Sequence, residues 1–284
     1  MHPILTIKEA EQILTAKSKK INTLYLSLDL GLTQSKVKIK KNFIWVNDEQ
    51  QLPLSALKKI KEGAGYIIVK NELRQISFFS DETKKYYKLI PAKDWPTVAL
   101  SSTPMHRHTN ISPKEDTLTK INEISPLQGK VLDTCCGLGY TAIMSARELK
   151  VSSVDTFERD ENILRIAEFN HYSQELFKSQ AESKIILHRE KNIAEEIFKF
   201  LSNYFDRIIH DPPTFKYSPE LYTVQFYGQL YRVLKKGGIL YHYAPHPHKT
   251  KGVLLYPKII KKLKEAGFKN VVYHEFSSGI RMEK

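Results

Sequence analysis

Hydrophobic positions follow two regimes along this chain. Up to about residue 90 they come in short alternating runs. Leu24, Leu26, Leu28 and Leu30 alternate with Tyr25, Ser27 and Asp29, and strand-like stretches follow at 37–39, 43–46, 66–69, 76–79 and 86–90. Thr6-Ile7-Lys8-Glu9 is a capping box ahead of Ile7, Ala10 and Leu14 at helical spacing, which predicts a helix to about Lys17. A second short helix is predicted from about Pro53 to Glu62, ended by Gly63. Residues 1–95 therefore predict a small α+β domain.

Residues 91–108 lack a clear period and contain three prolines, Pro91, Pro96 and Pro104, so 96–112 predicts an extended connector. Ser112-Pro113-Lys114-Glu115 then opens a helix with an N-cap serine, proline at the first helical position and glutamate at the third. Leu118, Ile121 and Ile124 supply its apolar face. From there strand and helix alternate, the mark of a parallel sheet. Strands are predicted near 130–134, 152–158, 184–188, 205–210, 238–243 and 269–275, with a last one at 279–283. Helices are predicted near 140–149, 161–171, 193–203, 219–234 and 253–266. Residues 113–284 thus predict an α/β, Rossmann-like domain with helices on both faces of its sheet.

Composition adds limits. With 284 residues and 41% hydrophobic content, the chain is long enough for two packed cores. Its two cysteines are adjacent, which excludes a disulfide framework and predicts a reducing compartment. No apolar run approaches the roughly 20 residues needed to span a bilayer, and the first residues lack the pattern of a signal peptide. A cytoplasmic protein without membrane contact is expected. The net charge is +13, and residues 1–100 hold 17 Lys/Arg against 10 Asp/Glu. That excess favours phosphate-rich partners.

Candidate chemistry concentrates at two places. The strand Lys130-Val131-Leu132-Asp133 ends in an acid, and Gly137-Leu138-Gly139 follows before a helix, so backbone can approach a ligand closely at a helix N-terminus. The next strand ends at Glu158, nineteen residues past Gly139, where a carboxylate can grip ribose hydroxyls. Gly137-Leu138-Gly139-Tyr140-Thr141-Ala142 also fits a loose dinucleotide fingerprint. Asp133 argues against a dinucleotide, because a pyrophosphate there would meet a fixed negative charge. The second place is Asp211-Pro212-Pro213-Thr214-Phe215, at the end of the fourth predicted strand.

On these residues the chain resembles the class I S-adenosylmethionine-dependent methyltransferases. Residues 131–142 match that family's first motif and 205–215 its fourth. Met105-His106-Arg107, Asp133-Thr134-Cys135-Cys136-Gly137-Leu138-Gly139-Tyr140-Thr141-Ala142 and His210-Asp211-Pro212-Pro213 more closely resemble a group of uncharacterised archaeal predicted methyltransferases, over the whole chain. The resemblance implies S-adenosylmethionine as cofactor. Asp133, Gly137 and Gly139 would meet its amino-acid part, with Cys135, Tyr140 and Thr141 in the same loop, Glu158 at the ribose and Asn192 beside the adenine. Asp211, Pro212, Pro213 and Phe215 would form the reaction site and hold an amine. The family pattern places the aromatic directly after the prolines, whereas here Thr214 intervenes, which leaves an adenine-type amine unsecured.

Other signals weigh less. Pyrimidine C5 methylation needs a cysteine beside the reaction site, and both cysteines lie in the cofactor loop. His106, His108, His242, His246 and His248 include two His-x-His pairs, yet no acid or cysteine stands at ligand spacing, so no metal site is expected. Met105-His106-Arg107 reads equally as a substrate strap or a packing hinge. Tyr25, Trp45, Tyr66, Phe78, Tyr86 and Tyr87 are interleaved with lysines in the basic first domain, a mixture that can stack bases and meet phosphates. The expected function is N-methylation of a tRNA-like RNA. The alternatives are a methyl- or aminopropyl-transferase acting on a polyamine or other small molecule, and a non-catalytic RNA-binding protein of the same fold.

Overall fold

The computed structural model describes residues 2–245 and 255–284, so His246, His248 and the expected helix start at 253–254 lie outside the described residues. The chain divides into two compact units, 1–113 with 165–172 and 114–164 with 173–284. In the first unit, helix Ile7–Ser18 begins where its capping box predicts. Thr6 N–H donates to Glu9 Oε2 at 3.0 Å, and Thr6 Oγ1 accepts from Lys8 N–H at 3.2 Å.

Three antiparallel sheets complete this unit. Ile4–Leu5, Tyr66–Val69 and Glu72–Gln75 form one. Thr23–Leu26, Ser35–Lys40, Phe43–Trp45 and Gln51–Pro53 form a meander, and Ser77–Ser80, Lys85–Ile90, Thr97–Leu100 and Thr103–Pro104 form another. Ile13 of the helix packs with Val37, Ile44, Leu52 and Ile68 in one apolar core.

Two expectations are corrected here. The helix expected over 53–62 is one turn, Leu54–Leu57, after which Lys59 and Ile60 N–H bond only three residues back. Residues 96–112 are not a plain connector, because Thr97–Leu100 pairs with both Lys85–Ile90 and Thr103–Pro104. Thr97, Val98 and Ala99 are buried, and Pro104 sits on the outer strand of that sheet, where its missing N–H costs least. Met105 N–H then bonds Val98 O at 2.9 Å, and His106 Nδ1 lies 2.9 Å from Thr97 Oγ1.

The second unit is built on one sheet of seven strands: β1 (Gly129–Asp133), β2 (Val151–Glu158), β3 (Ile185–Arg189), β4 (Phe205–His210), β5 (Leu234–Tyr243), β6 (Lys269–His274) and β7 (Gly279–Glu283). Their order is β3-β2-β1-β4-β5-β7-β6, and β7 alone runs against its neighbours. The helices are α1 (Pro113–Glu123), α2 (Tyr140–Arg147), α3 (Glu161–Phe169, of which this unit holds 161–164), α4 (Ile193–Glu196), α5 (Val224–Val233) and α6 (Tyr256–Glu265).

Alternation along the strands sorts the core. Leu132, Ile208 and Leu240 face a cluster with Ile193, Leu230 and Leu263, from α4, α5 and α6. Val131, Ile209 and Tyr241 face the opposite cluster with Ile121, Ile143 and Leu164, from α1, α2 and α3. Helices therefore cover both faces, as expected. The order reverses between β1 and β4, which opens the crevice in which open α/β sheets bind ligands beyond their strand ends.

Two helices are shorter than predicted. The run expected over 193–203 breaks into α4 and a short 3-10 turn, because the Arg232 guanidinium draws in the carbonyls of Ile197 (2.9 Å) and Phe200 (2.7 Å). In the run expected over 219–234, Thr223 Oγ1 accepts from Phe226 N–H at 3.1 Å and so starts α5 afresh at Val224. No helix among the described residues is long and apolar enough to cross a membrane.

Candidate active site

The carboxyl ends of β1, β2 and β4 meet at the reversal in strand order, and each delivers an acid. Asp133 ends β1 fully buried, accepting from Thr156 Oγ1 at 2.6 Å and Thr141 Oγ1 at 3.1 Å. Burial pushes its carboxyl up to about 7, against the pull of those two hydroxyls. The direct ligand contact expected of Asp133 therefore lacks open surface here. It anchors the loop from beneath, through Thr141 on α2 and Thr156 on β2.

That loop needs its glycines. Gly137 (φ 56°) and Gly139 (φ 79°) lie in the left-handed region, and a side-chain carbon on Gly139 would fall 2.3 Å from Leu176 Cδ1. α2 opens at Gly139 without a side-chain cap, which leaves backbone N–H groups at the sheet's carboxyl edge. Tyr140 is buried. Cys135 is half-buried against the cluster of Leu132, and Cys136 is buried against that of Val131. Burial raises both thiols, so neither is a ready nucleophile.

Glu158 ends β2 and ties the loop to the start of α3. Its Oε2 accepts from Gly137 N–H and its Oε1 from Asp160 N–H, both at 2.9 Å. Burial pushes this carboxyl up to about 7, despite those two N–H groups. Each oxygen still has a lone pair for a hydroxyl. Asn192 is different. Its Oδ1 caps α4 by accepting from Ala194 N–H at 3.1 Å, and its Nδ2 donates to Glu195. The side chain expected near an adenine is already committed to the helix end.

Asp211 follows β4 and meets a residue that sequence reasoning missed. Lys120 Nζ donates to Asp211 Oδ2 at 2.7 Å and lies 2.7 Å from Asp116 Oδ2. The Lys120 side chain is 4% exposed and Asp116 is fully buried, while Asp211 keeps 23% exposure. Burial would lower the lysine's pKa, but the two carboxylates outweigh it and hold the ammonium above its ordinary range. Burial also raises Asp211, and Lys120 opposes that rise. The Tyr243 ring lies 4.6 Å from Lys120 Nζ. An acid and a lysine four apart, flanked by Thr117 and Thr119 on the buried side of a helix, were the available signal.

The turn after Asp211 is stiffly made. Pro212 is buried, and the Pro213 carbonyl accepts from Tyr222 Oη at 2.8 Å. Phe215 is 47% exposed and edge-on to Tyr222, with ring centres 5.6 Å apart. Beneath it, His210 Nδ1 lies 2.8 Å from Thr134 Oγ1 and its Nε2 3.2 Å from Leu221 O. A carbonyl only accepts, so Nε2 carries the proton and Thr134 donates to Nδ1. By the same logic His242 donates from Nδ1 to Tyr243 O and accepts from Tyr227 Oη at Nε2. Burial keeps both rings neutral, His210 well below its ordinary value and His242 at about 4. Among the described residues no three His, Cys, Asp or Glu side chains are placed to hold a metal ion.

Three comparisons bear on this arrangement. Residues 116–266 match the family model described as methyltransferase small domain. An uncharacterised protein of Methanocaldococcus jannaschii is 38% identical over 283 residues, 97% of this chain and 93% of that protein. The crystal structure of spermidine synthase from Thermotoga maritima matches with a TM-score of 0.54 at 19% identity, covering 72% of this chain and 70% of that one. A spermidine synthase in complex with the transition-state analogue AdoDATO matches with a TM-score of 0.56 at 19% identity, covering 72% and 71%. At such identity the two enzymes share the fold.

Proposed function

Because the chain belongs to the methyltransferase small-domain family, we propose that it transfers the methyl group of S-adenosylmethionine to a nitrogen of a tRNA-like RNA. The residues present fit the cofactor. Gly137 and Gly139 let the backbone approach it, and Glu158 has lone pairs for ribose hydroxyls. When bound, S-adenosylmethionine supplies a methyl group on a positively charged sulfur.

The observation that carries the RNA reading is the combination at the end of β4. A partly exposed carboxylate, Asp211, is held by a buried ammonium, and a half-exposed ring, Phe215, stands four residues on. Asp211 would accept an amine hydrogen and so turn the nitrogen lone pair in a fixed direction, while Phe215 would stack on a planar base. The basic first unit supports a phosphate-bearing partner. One observation favours a second reading: Glu158 and the partly exposed Asp211 both stand at the carboxyl edge of the sheet, and a pair of carboxylates suits a polyamine. Incubation with labelled S-adenosylmethionine and separated RNA, protein and small-molecule fractions tests the choice. Label in RNA is expected, and label confined to polyamines would replace the RNA reading.

Glu158→Ala should weaken S-adenosylmethionine and S-adenosylhomocysteine alike by about 1.5–3 kcal/mol, the worth of hydrogen bonds to a charged acceptor. The pH dependence follows from the raised carboxyls. Their folded values of about 7 lie above the unfolded ones, so they stabilise the empty protein in acid, and that contribution is lost as pH rises toward 7. Gripping ribose hydroxyls needs Glu158 in its ionised form. Affinity should therefore rise from pH 5.5 to about 7.5, by up to about tenfold per unit for each group that releases a proton, and then level off. Calorimetry across that range, with unchanged affinity for Glu158→Ala or a flat pH profile, would remove Glu158 from this role.

A further inference from the structure

We propose that the outer face of the meander Thr23–Leu26, Ser35–Lys40, Phe43–Trp45 and Gln51–Pro53 is a stacking platform for single-stranded RNA. The proposal deepens the RNA reading above and rests on it. Alternation along these strands sends Leu26, Val37, Ile39, Ile44 and Leu52 into the core. The opposite face carries Tyr25, Lys36, Lys38, Lys40, Phe43 and Trp45. Strand register makes them neighbours: Tyr25 stands opposite Lys36, Lys38 opposite Trp45, and Lys40 opposite Phe43.

Outward positions of a half-buried antiparallel sheet are usually polar. Here Tyr25 is 65% exposed and Phe43 39% exposed, with Trp45 partly exposed between lysines. Lys40 Nζ lies 5.6 Å from the Trp45 ring centre. The lysines do not protect a free edge, because their strand is paired on both sides. Alternate residues of a strand are roughly 6.7 Å apart, a repeat on which successive lysines can meet successive phosphates while the flanking rings stack on bases. One carboxylate competes. Asp48 lies 3.8 Å from Lys38 Nζ, but both groups are well exposed, and such a pair is weak enough for a phosphate to displace. A duplex hides its base faces, so the rings select single strands.

Tryptophan fluorescence of the full-length protein tests this, because the other tryptophan, Trp95, is buried. The probes are a single-stranded uridine dodecamer, a self-complementary RNA duplex of equal length, and inorganic polyphosphate. The dodecamer should quench the emission and bind at least tenfold more tightly than the duplex or polyphosphate. Its log–log salt slope should lie near −2, at about −0.7 per phosphate met by three lysines. Changing Lys36, Lys38 and Lys40 together to Gln should flatten that slope toward zero. Changing Tyr25 and Phe43 together to Ala should weaken binding at least tenfold with the slope kept. Absence of quenching, equal binding of the duplex or polyphosphate, or variants that bind like the parent would overturn the platform. Methylation of RNA by variants of undiminished affinity would leave the RNA reading standing without it. Quenching by the dodecamer, with methyl label confined to polyamines, would retain the platform and overturn the substrate.

Discussion

Lys120→Met should lower folding stability by about 3–5 kcal/mol, the scale on which a buried ion pair is broken by removing one partner. The change leaves Asp116, which is fully buried, and Asp211 without their shared ammonium. A buried carboxylate left without its counter-charge favours unfolding near neutral pH. Adding Asp116→Asn to Lys120→Met should restore part of the loss, since one of the stranded charges is gone. Urea denaturation of the parent, single and double variants measures this. A loss below about 1 kcal/mol in Lys120→Met would show that the cluster does not hold α1 to the end of β4.

Asp211→Asn should reduce methyl transfer at least about 100-fold while cofactor affinity stays nearly unchanged. The amide keeps the shape of the carboxylate but presents a donor on one side and removes the charge that Lys120 holds. An acceptor nitrogen then loses its fixed direction, and misplacement on the scale of an ångström suffices for a loss of that size. The loss should fall on kcat, with KM moving less, because the assigned task is orientation at the reacting atom. Parental turnover in Asp211→Asn would assign Asp211 to bracing the turn.

How far the sequence could be read follows from what each segment must satisfy. The central strands β1, β4 and β5 carry buried apolar runs, Val131-Leu132, Ile208-Ile209 and Ile239-Leu240-Tyr241, so their positions emerge within a few residues. α1 announces itself through Ser112-Pro113, and the glycine loop through residues that must take positive φ. The first unit is harder. Glu72–Gln75 is a polar strand fixed by its partner Tyr66–Val69, across a two-residue turn in which Lys70 and Asn71 both have positive φ. That turn needs the primed geometry, but Lys-Asn is a weak signal for it. The breaks after α4 and before α5 depend on Arg232 and Thr223, contacts that periodicity does not encode.

The site shows the same division. Asp133, Glu158 and Asp211 stand at strand ends, where strand and loop spacing predict them. Their partners come from elsewhere in the chain. Asp133 is gripped by Thr156 across 23 residues, and Asp211 by Lys120 across 91. Asn192 lay at the expected place after β3, but the N–H of Ala194 two residues on claims its oxygen first. Local spacing reveals which acids stand at the strand ends, whereas their environment depends on the fold.

Base-nitrogen methylation of RNA is tested most directly by nucleoside mass spectrometry of a tRNA fraction after incubation with the intact protein and S-adenosylmethionine bearing a deuterated methyl group. A single nucleoside carrying the heavy methyl on a base nitrogen is expected, abolished or nearly so by Asp211→Asn. Heavy methyl on a ribose oxygen or a base carbon, or RNA without label while a polyamine fraction is labelled, would contradict it.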